Sequence, residues 1–250
     1  MQQTRTLRDG VARCARYAFG PNKLHLCGPD ANREVYAYLK EGVVDFGLRR
    51  ILGQFQTLYP YLRSIAEANQ IADPFDDRVV HAYWIGNALL ETIPLKTLFH
   101  HLVDVLKINK RQKKKDFDEL TERLPHGAKM HHSFHVLNIY KRTGHLEHLH
   151  TLESMDACRV SWGKVVSIDG PKITVMRKRL ALNGNTLYLT AEEKHTVIRK
   201  LEDEGYLDEM KPGDLISMHW YVPCEVITPQ DVRSLEFYTQ KHISLANLTH

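Results

Sequence analysis

Hydrophobic residues recur every three or four positions through the first half of the chain and every second position through much of the rest. Val35, Tyr38, Leu39, Val43, Phe46 and Leu48 are followed by Ile51, Leu52, Phe55, Leu58, Leu62 and Ile65. That spacing predicts amphipathic helices, with Pro60 breaking or kinking the run. Asp73-Pro74 fits a helix N-cap and first turn, and Asp76 and Asp77 suit the positive end of the dipole. PLKTLFHHLVDVLKI reads as another apolar helix, and NKRQKKKDFDELTERLP as a solvated, charge-rich helix or loop.

Near residue 150 the period changes to two. Val165, Ile168, Ile173 and Val175 are β-branched, and Asp169-Gly170 and Asn183-Gly184 are turn signals, so this stretch predicts a meander of short strands. TAEEKHTVIRKLEDEGY opens on a Thr190-to-Glu193 capping box and predicts a helix. KPGDLISMHWYVPCEVIT returns to strand after Pro212-Gly213, and Thr228-Pro229 starts a final helix. The pattern predicts an α+β chain: an all-helical domain over residues 1–152, then over 153–250 a small OB-like β-barrel with an inserted helix and a C-terminal helix.

Composition narrows the class. The 250 residues are 43% hydrophobic and 26% charged, the balance of a soluble globular protein. A formal net charge of +4 is too mild to imply nucleic acid. No apolar run has the length of a signal peptide core or a membrane helix, so a cytoplasmic protein is expected. In that compartment Cys14, Cys27, Cys158 and Cys224 read as thiols, ligands or nucleophiles rather than a disulfide framework, with Cys224 a core residue. The 15 histidines cluster at His100 and His101, at His126, His131, His132 and His135, and at His145, His148 and His150, which raises metal binding as a candidate chemistry.

Cys158 leads directly into the strand region. It is followed by Arg-Val-Ser-Trp, then Gly163-Lys164-Val165-Val166, then Ile168-Asp169-Gly170; farther on come Pro212-Gly213-Asp214 and a strand ending in His219. In order and spacing these motifs resemble the HypC/HybG family of nickel–iron hydrogenase assembly chaperones, over roughly residues 156–245. In that family the cysteine becomes the N-terminal residue; here it is internal, and Trp162 stands where the family has proline. The resemblance implies an iron centre carrying cyanide and carbon monoxide, a HypD-like scaffold and the hydrogenase large subunit as partners, Cys158 as the thiolate that touches the iron or the partner's disulfide site, and His219 as the second candidate ligand. A soft thiolate with an imidazole suits such iron better than oxygen donors.

The first 150 residues resemble an uncharacterised hydrogenase-associated family, which implies no mechanism. On a helix His131 and His135 would share a face and grip one metal, and His132 with His135 is a second possible pair. His81, Trp84, Asn87 and Glu91 could line a pocket between the helices, joined by the loop that carries Lys23, His25 and Cys27. No Ser-His-Asp arrangement, phosphate loop or dinucleotide fingerprint is present. The sequence therefore points first to a hydrogenase maturation protein that binds or hands over an iron cyanide–carbonyl fragment. The alternative is a metal-dependent enzyme that makes or processes a one-carbon ligand in the His-rich helical domain.

Overall fold

The architecture is taken from a computed structural model, which describes residues 9–139, 150–198 and 210–248. Among the described residues nine α-helices come first: α1 (Gly10–Lys23), α2 (Asn32–Glu41), α3 (Phe46–Leu52), α4 (Leu58–Ala68), α5 (Asp77–Trp84), α6 (Leu95–His100), α7 (Ile108–Arg111), α8 (Lys114–Arg123) and α9 (His132–Asn138). A short α10 (Leu152–Cys158) precedes the strands. These are β1 (Ser161–Asp169), β2 (Lys172–Arg177), β3 (Leu180–Asn183), β4 (Thr186–Leu189), β5 (Glu193–Ile198), β6 (Leu215–His219) and β7 (Val222–Val226), and α11 (Pro229–Ala246) closes the chain. The fold is α+β. No helix among the described residues is long and apolar enough to cross a membrane.

Local chemistry accounts for most element ends. Pro60 starts a helix rather than breaking one: it is the third residue of α4, where no intrahelical N–H is required. The cap of α5 is Asp76, which accepts from the N–H of Arg78, while Asp73 accepts from Phe75 just before it. The basic run forms α7 and α8, which bury mainly Ile108, Leu120 and Arg123 and leave their lysines in solvent. Thr228 and Asp231 form a reciprocal capping box at the start of α11.

The strands correct the barrel expectation. Among the described residues five of them form an open antiparallel sheet in the order β5-β2-β1-β6-β7, with no pairing between the outer strands β5 and β7, and β3 and β4 form a separate hairpin. The hairpin leaves the sheet because Leu180 and Leu187 bury against Met155 of α10, Val136 and Leu137 of α9 and Ile243 of α11. The inserted helix expected near residue 191 is also replaced, by strand β5. Thr190 does not cap a helix: its hydroxyl accepts from the N–H of Arg179 and donates to the Ala191 carbonyl. The segment EKHTVI instead pairs with β2 from Arg177↔Glu193 to Lys172↔Ile198, and its β-branched Thr196, Val197 and Ile198 suit a pleated surface. The rest of the expected helix lies outside the described residues.

The main apolar core does not stop at residue 152. It runs from Tyr17, Leu62 and Tyr83 in the helices to Val160, Cys224, Leu235 and Tyr238 beyond it. Helix α1 packs on the β6–β7 end of the sheet, where Tyr17 donates to Glu225 at 2.8 Å and its hydroxyl lies 2.7 Å from that of Ser217. Arg13 reaches Glu225 at 3.3 Å and also pairs with Asp77. This contact carries the end of β6 into the helical half.

Candidate metal centre

The ends of three elements, α10, β6 and α9, meet beside α1. Helix α10 is capped by Thr151, whose side chain accepts from the N–H of Ser154, and ends at Cys158 because Arg159 turns extended. Arg159 and Arg177 both bind the buried carboxylate of Asp156, at 2.8 and 2.6 Å, which fixes that turn of chain against the sheet. Strand β6 ends at His219, which pairs with Val222 across a two-residue turn. Helix α9 begins at His132.

The β6–β7 turn is unusual in composition. Trp220 and Tyr221 both adopt left-handed backbone, at φ 52° and 59°, where a hairpin normally carries Asn-Gly. A bulky residue in that region costs roughly 1–2 kcal/mol. Surrounding contacts hold the turn. The N–H of Trp220 donates to the Ala157 carbonyl at 2.7 Å, which ties the end of β6 to the end of α10. Tyr221 lies under the Arg177 guanidinium at 5.2 Å.

The result is one cluster of donor atoms. The ligating atoms of His132, Cys158 and His219 all lie within 4.8 Å of one another, and the Cys158 Sγ is 3.9 Å from the His132 Nε2. Trp84 packs against both rings, with centroids 4.5 Å from His132 and 5.1 Å from His219, and is itself stacked on Tyr17. A cavity with about 50 Å³ of room for water-sized molecules opens beside the cluster. Cys27, Phe55, Leu58, Tyr83 and Trp220 are among its walls. That volume holds a few such molecules, and the lining favours small, weakly polar ones.

The hydrogen bonds fix both tautomers. A carbonyl only accepts, so the 2.6 Å contact between His219 and the Tyr17 carbonyl places the proton on Nδ1. The His219 Nε2 then carries a bare lone pair; it is buried beside the Cys158 backbone and completes no hydrogen bond. By the same reasoning the His132 Nε2 carries a proton, donated to the Cys158 carbonyl at 2.7 Å, and its Nδ1 accepts from the Tyr83 hydroxyl at 3.1 Å. Burial pushes the His219 imidazole down to about 4, and burial together with the neighbouring His219 pushes His132 well below its usual value. Both rings are therefore neutral near pH 7, the form that ligates a metal.

Residues 6–250 match the Family of unknown function (DUF6390). The chain belongs to that family. All three donor residues lie inside the matched span, which covers helices and strands alike. Neither a curated protein nor a solved structure matches the chain.

The structure brings Cys158 and His219 together and adds His132, which sequence spacing had paired only with His135. It does not give His131 and His135 the helical relation expected of them. His131 lies outside α9 as its N-cap, extended at φ −114° and ψ 149°, because its Nδ1 accepts from the N–H of Ser133. Its ring stacks on Tyr238 of α11, whereas His135 faces the Tyr61 hydroxyl at 3.2 Å and lines the cavity. His81 bonds Asp231 at 2.9 Å and joins α5 to α11, and Glu91 pairs with Lys129 and accepts from Tyr238. Residues 19–23 of the expected loop are instead the last turn of α1; Pro21, Leu26 and Cys27 line the cavity, whereas Lys23 and His25 are exposed, His25 beside Asp30. His150 lines the cavity, and His145 and His148 lie outside the described residues. Cys224 is fully buried in the core. None of the four cysteines is in a disulfide.

Proposed function

We propose that this chain is an accessory protein of nickel–iron hydrogenase assembly, which holds an iron fragment bearing cyanide and carbon monoxide and passes it on. One observation carries the reading: Cys158 and His219, drawn from opposite ends of the strand region, place a sulfur and a bare imidazole lone pair within 4.8 Å at the edge of a largely apolar cavity. A soft thiolate and neutral imidazole suit low-spin iron. The largely apolar cavity walls suit the carbon monoxide ligand, a weak hydrogen-bond acceptor that gains little from water. The donors come from the protein side only, so the remaining coordination positions stay with the cargo's own ligands, and a partial grip permits release. The partners in this reading are a HypD-like scaffold, which would load the fragment, and the hydrogenase large subunit, which would receive it, both in the cytoplasm.

A second reading rests on the extension of the cavity toward His135 and His150. In it the helical half is a metal-dependent enzyme that makes or processes a one-carbon ligand, and Cys158 matters little. Anaerobic co-expression with hydrogenase assembly proteins, followed by infrared spectroscopy in the diatomic-ligand region, separates the two. The carrier reading expects cyanide and carbonyl bands in the wild-type chain and their loss in Cys158→Ala with the fold intact by circular dichroism. Bands or stoichiometric metal that survive Cys158→Ala defeat it and favour the enzyme.

A further inference from the structure

The reading above uses a two-donor grip from the strand region. We propose that the site is a three-donor one, N₂S, and that His132 of the helical half becomes the third ligand by exchanging its hydrogen bond to the Cys158 carbonyl for the metal. This rests on Cys158 and His219 binding metal at all, and extends that reading to the class of cargo: a soft transition-metal ion held by three protein donors.

The geometry supports the exchange. Donors at 2.0–2.3 Å from a tetrahedral metal stand about 3.4–3.6 Å apart. The Sγ-to-Nε2 distance of 3.9 Å needs a contraction of only a few tenths of an ångström. His132 is 7% exposed and His219 2% exposed, so both rings are positioned by packing rather than free to swing in from solvent. Trp84 and the edge-on approach of the two imidazoles, with centroids 4.9 Å apart and planes at 87°, set their directions. The unpartnered, buried Nε2 of His219 marks the spot as built for an acceptor of lone pairs.

The proton balance is specific. The Cys158 thiol gives up its proton to solvent when the sulfur binds. The proton on the His132 Nε2 moves to Nδ1, where the Tyr83 oxygen now accepts it and the hydroxyl hydrogen turns toward the cavity that Tyr83 lines. The Cys158 carbonyl loses its imidazole donor. Metal loading therefore changes the bonding of the last turn of α10, whose Ala157 carbonyl holds the strained β6–β7 turn. In this protein the helical half has a defined job: it supplies a ligand and the wall behind it.

Two measurements on the full chain test this. Anaerobic titration with Co²⁺ alone should give one ion per chain with a thiolate-to-cobalt charge-transfer band. His132→Gln should keep that band but weaken affinity at least about tenfold and alter the visible ligand-field bands, whereas Cys158→Ala should abolish the charge-transfer band. Because a buried substitution can perturb folding, ¹⁵N spectra of the histidine side chains of the unmutated chain supply the second readout. On addition of Zn²⁺ His132 should switch from the Nε2–H to the Nδ1–H tautomer, and His219 should stay Nδ1–H. Unchanged affinity and bands in His132→Gln, or a His132 tautomer that does not move while His219 shifts, overturn the third ligand and leave the two-donor reading standing. Co²⁺ binding indifferent to Cys158→Ala overturns both.

Discussion

The Nδ1–H of His219 donates to the backbone carbonyl of Tyr17 across 2.6 Å, and these residues lie 202 positions apart. The bond orients the imidazole so that its other nitrogen faces Cys158 and His132. It uses the backbone of α1, so the side chain of Tyr17 is not needed for it. Tyr17→Phe should therefore leave Co²⁺ affinity unchanged within a factor of about two. It removes a donor from buried Glu225, and should lower stability by about 1–3 kcal/mol in urea unfolding.

Gly20 is where α1 meets the His219 turn. A Cβ there would lie 2.7 Å from the His219 carbonyl oxygen and 3.3 Å from the Trp220 Cβ. Backbone on one side and helix on the other leave no easy relief. Gly20→Ala should cost about 1–3 kcal/mol of stability and weaken Co²⁺ binding, in contrast to Tyr17→Phe; parallel titrations of the two variants show the difference.

Asp156 anchors the chain just before Cys158. Burial alone would push its carboxyl up, but Arg159 and Arg177 together hold it below the usual carboxylate range. Asp156→Asn removes the carboxylate charge that both buried guanidinium groups bind, and a broken buried pair costs about 3–5 kcal/mol. Chemical denaturation should show a loss of that size.

Acid should unfold this protein early. His101 and His135 are pushed down to about 3 by burial, and His242 lies well below its ordinary value for the same reason, so all three are neutral in the folded state. In the unfolded chain they titrate near 6.5, so the unfolded state binds more protons between that value and the folded one. Their contribution is fully present above about pH 6.5 and is lost as pH falls. At pH 5 His101 and His135 each favour unfolding by about 2 kcal/mol, and His242 acts in the same direction; the sum is a large share of the whole stability of many domains. Circular dichroism against pH should show the transition between about pH 6 and 4, above the range where carboxylates protonate.

The sequence determined what depends on near neighbours. The three-to-four spacing from Val35 to Ile65 gave helices, the alternation from Val165 to Val175 gave strands, and Thr228 gave the last cap. Together these make an α+β chain. Local signals failed where two local structures competed. Thr190-x-x-Glu193 fits a helix cap, but β2 offered EKHTVI a full ladder of hydrogen bonds, and pairing won. His131 and His135 have helical spacing, but the helix starts one residue after His131 because that side chain serves the cap. The strands were legible, yet their arrangement was not: the β3–β4 hairpin left the sheet to bury Leu180 and Leu187 under α10 and α11, which no local pattern records. The site was decided the same way. Cys158, His219 and His132 stand at the ends of α10, β6 and α9; α9 and α10 are placed by burial in cores shared by helices and strands, whereas β6 buries Ile216 and Met218 in the sheet's own core and meets the helices through α1. Periodicity reports which face of an element is apolar; only the packing of those faces decides which element ends meet.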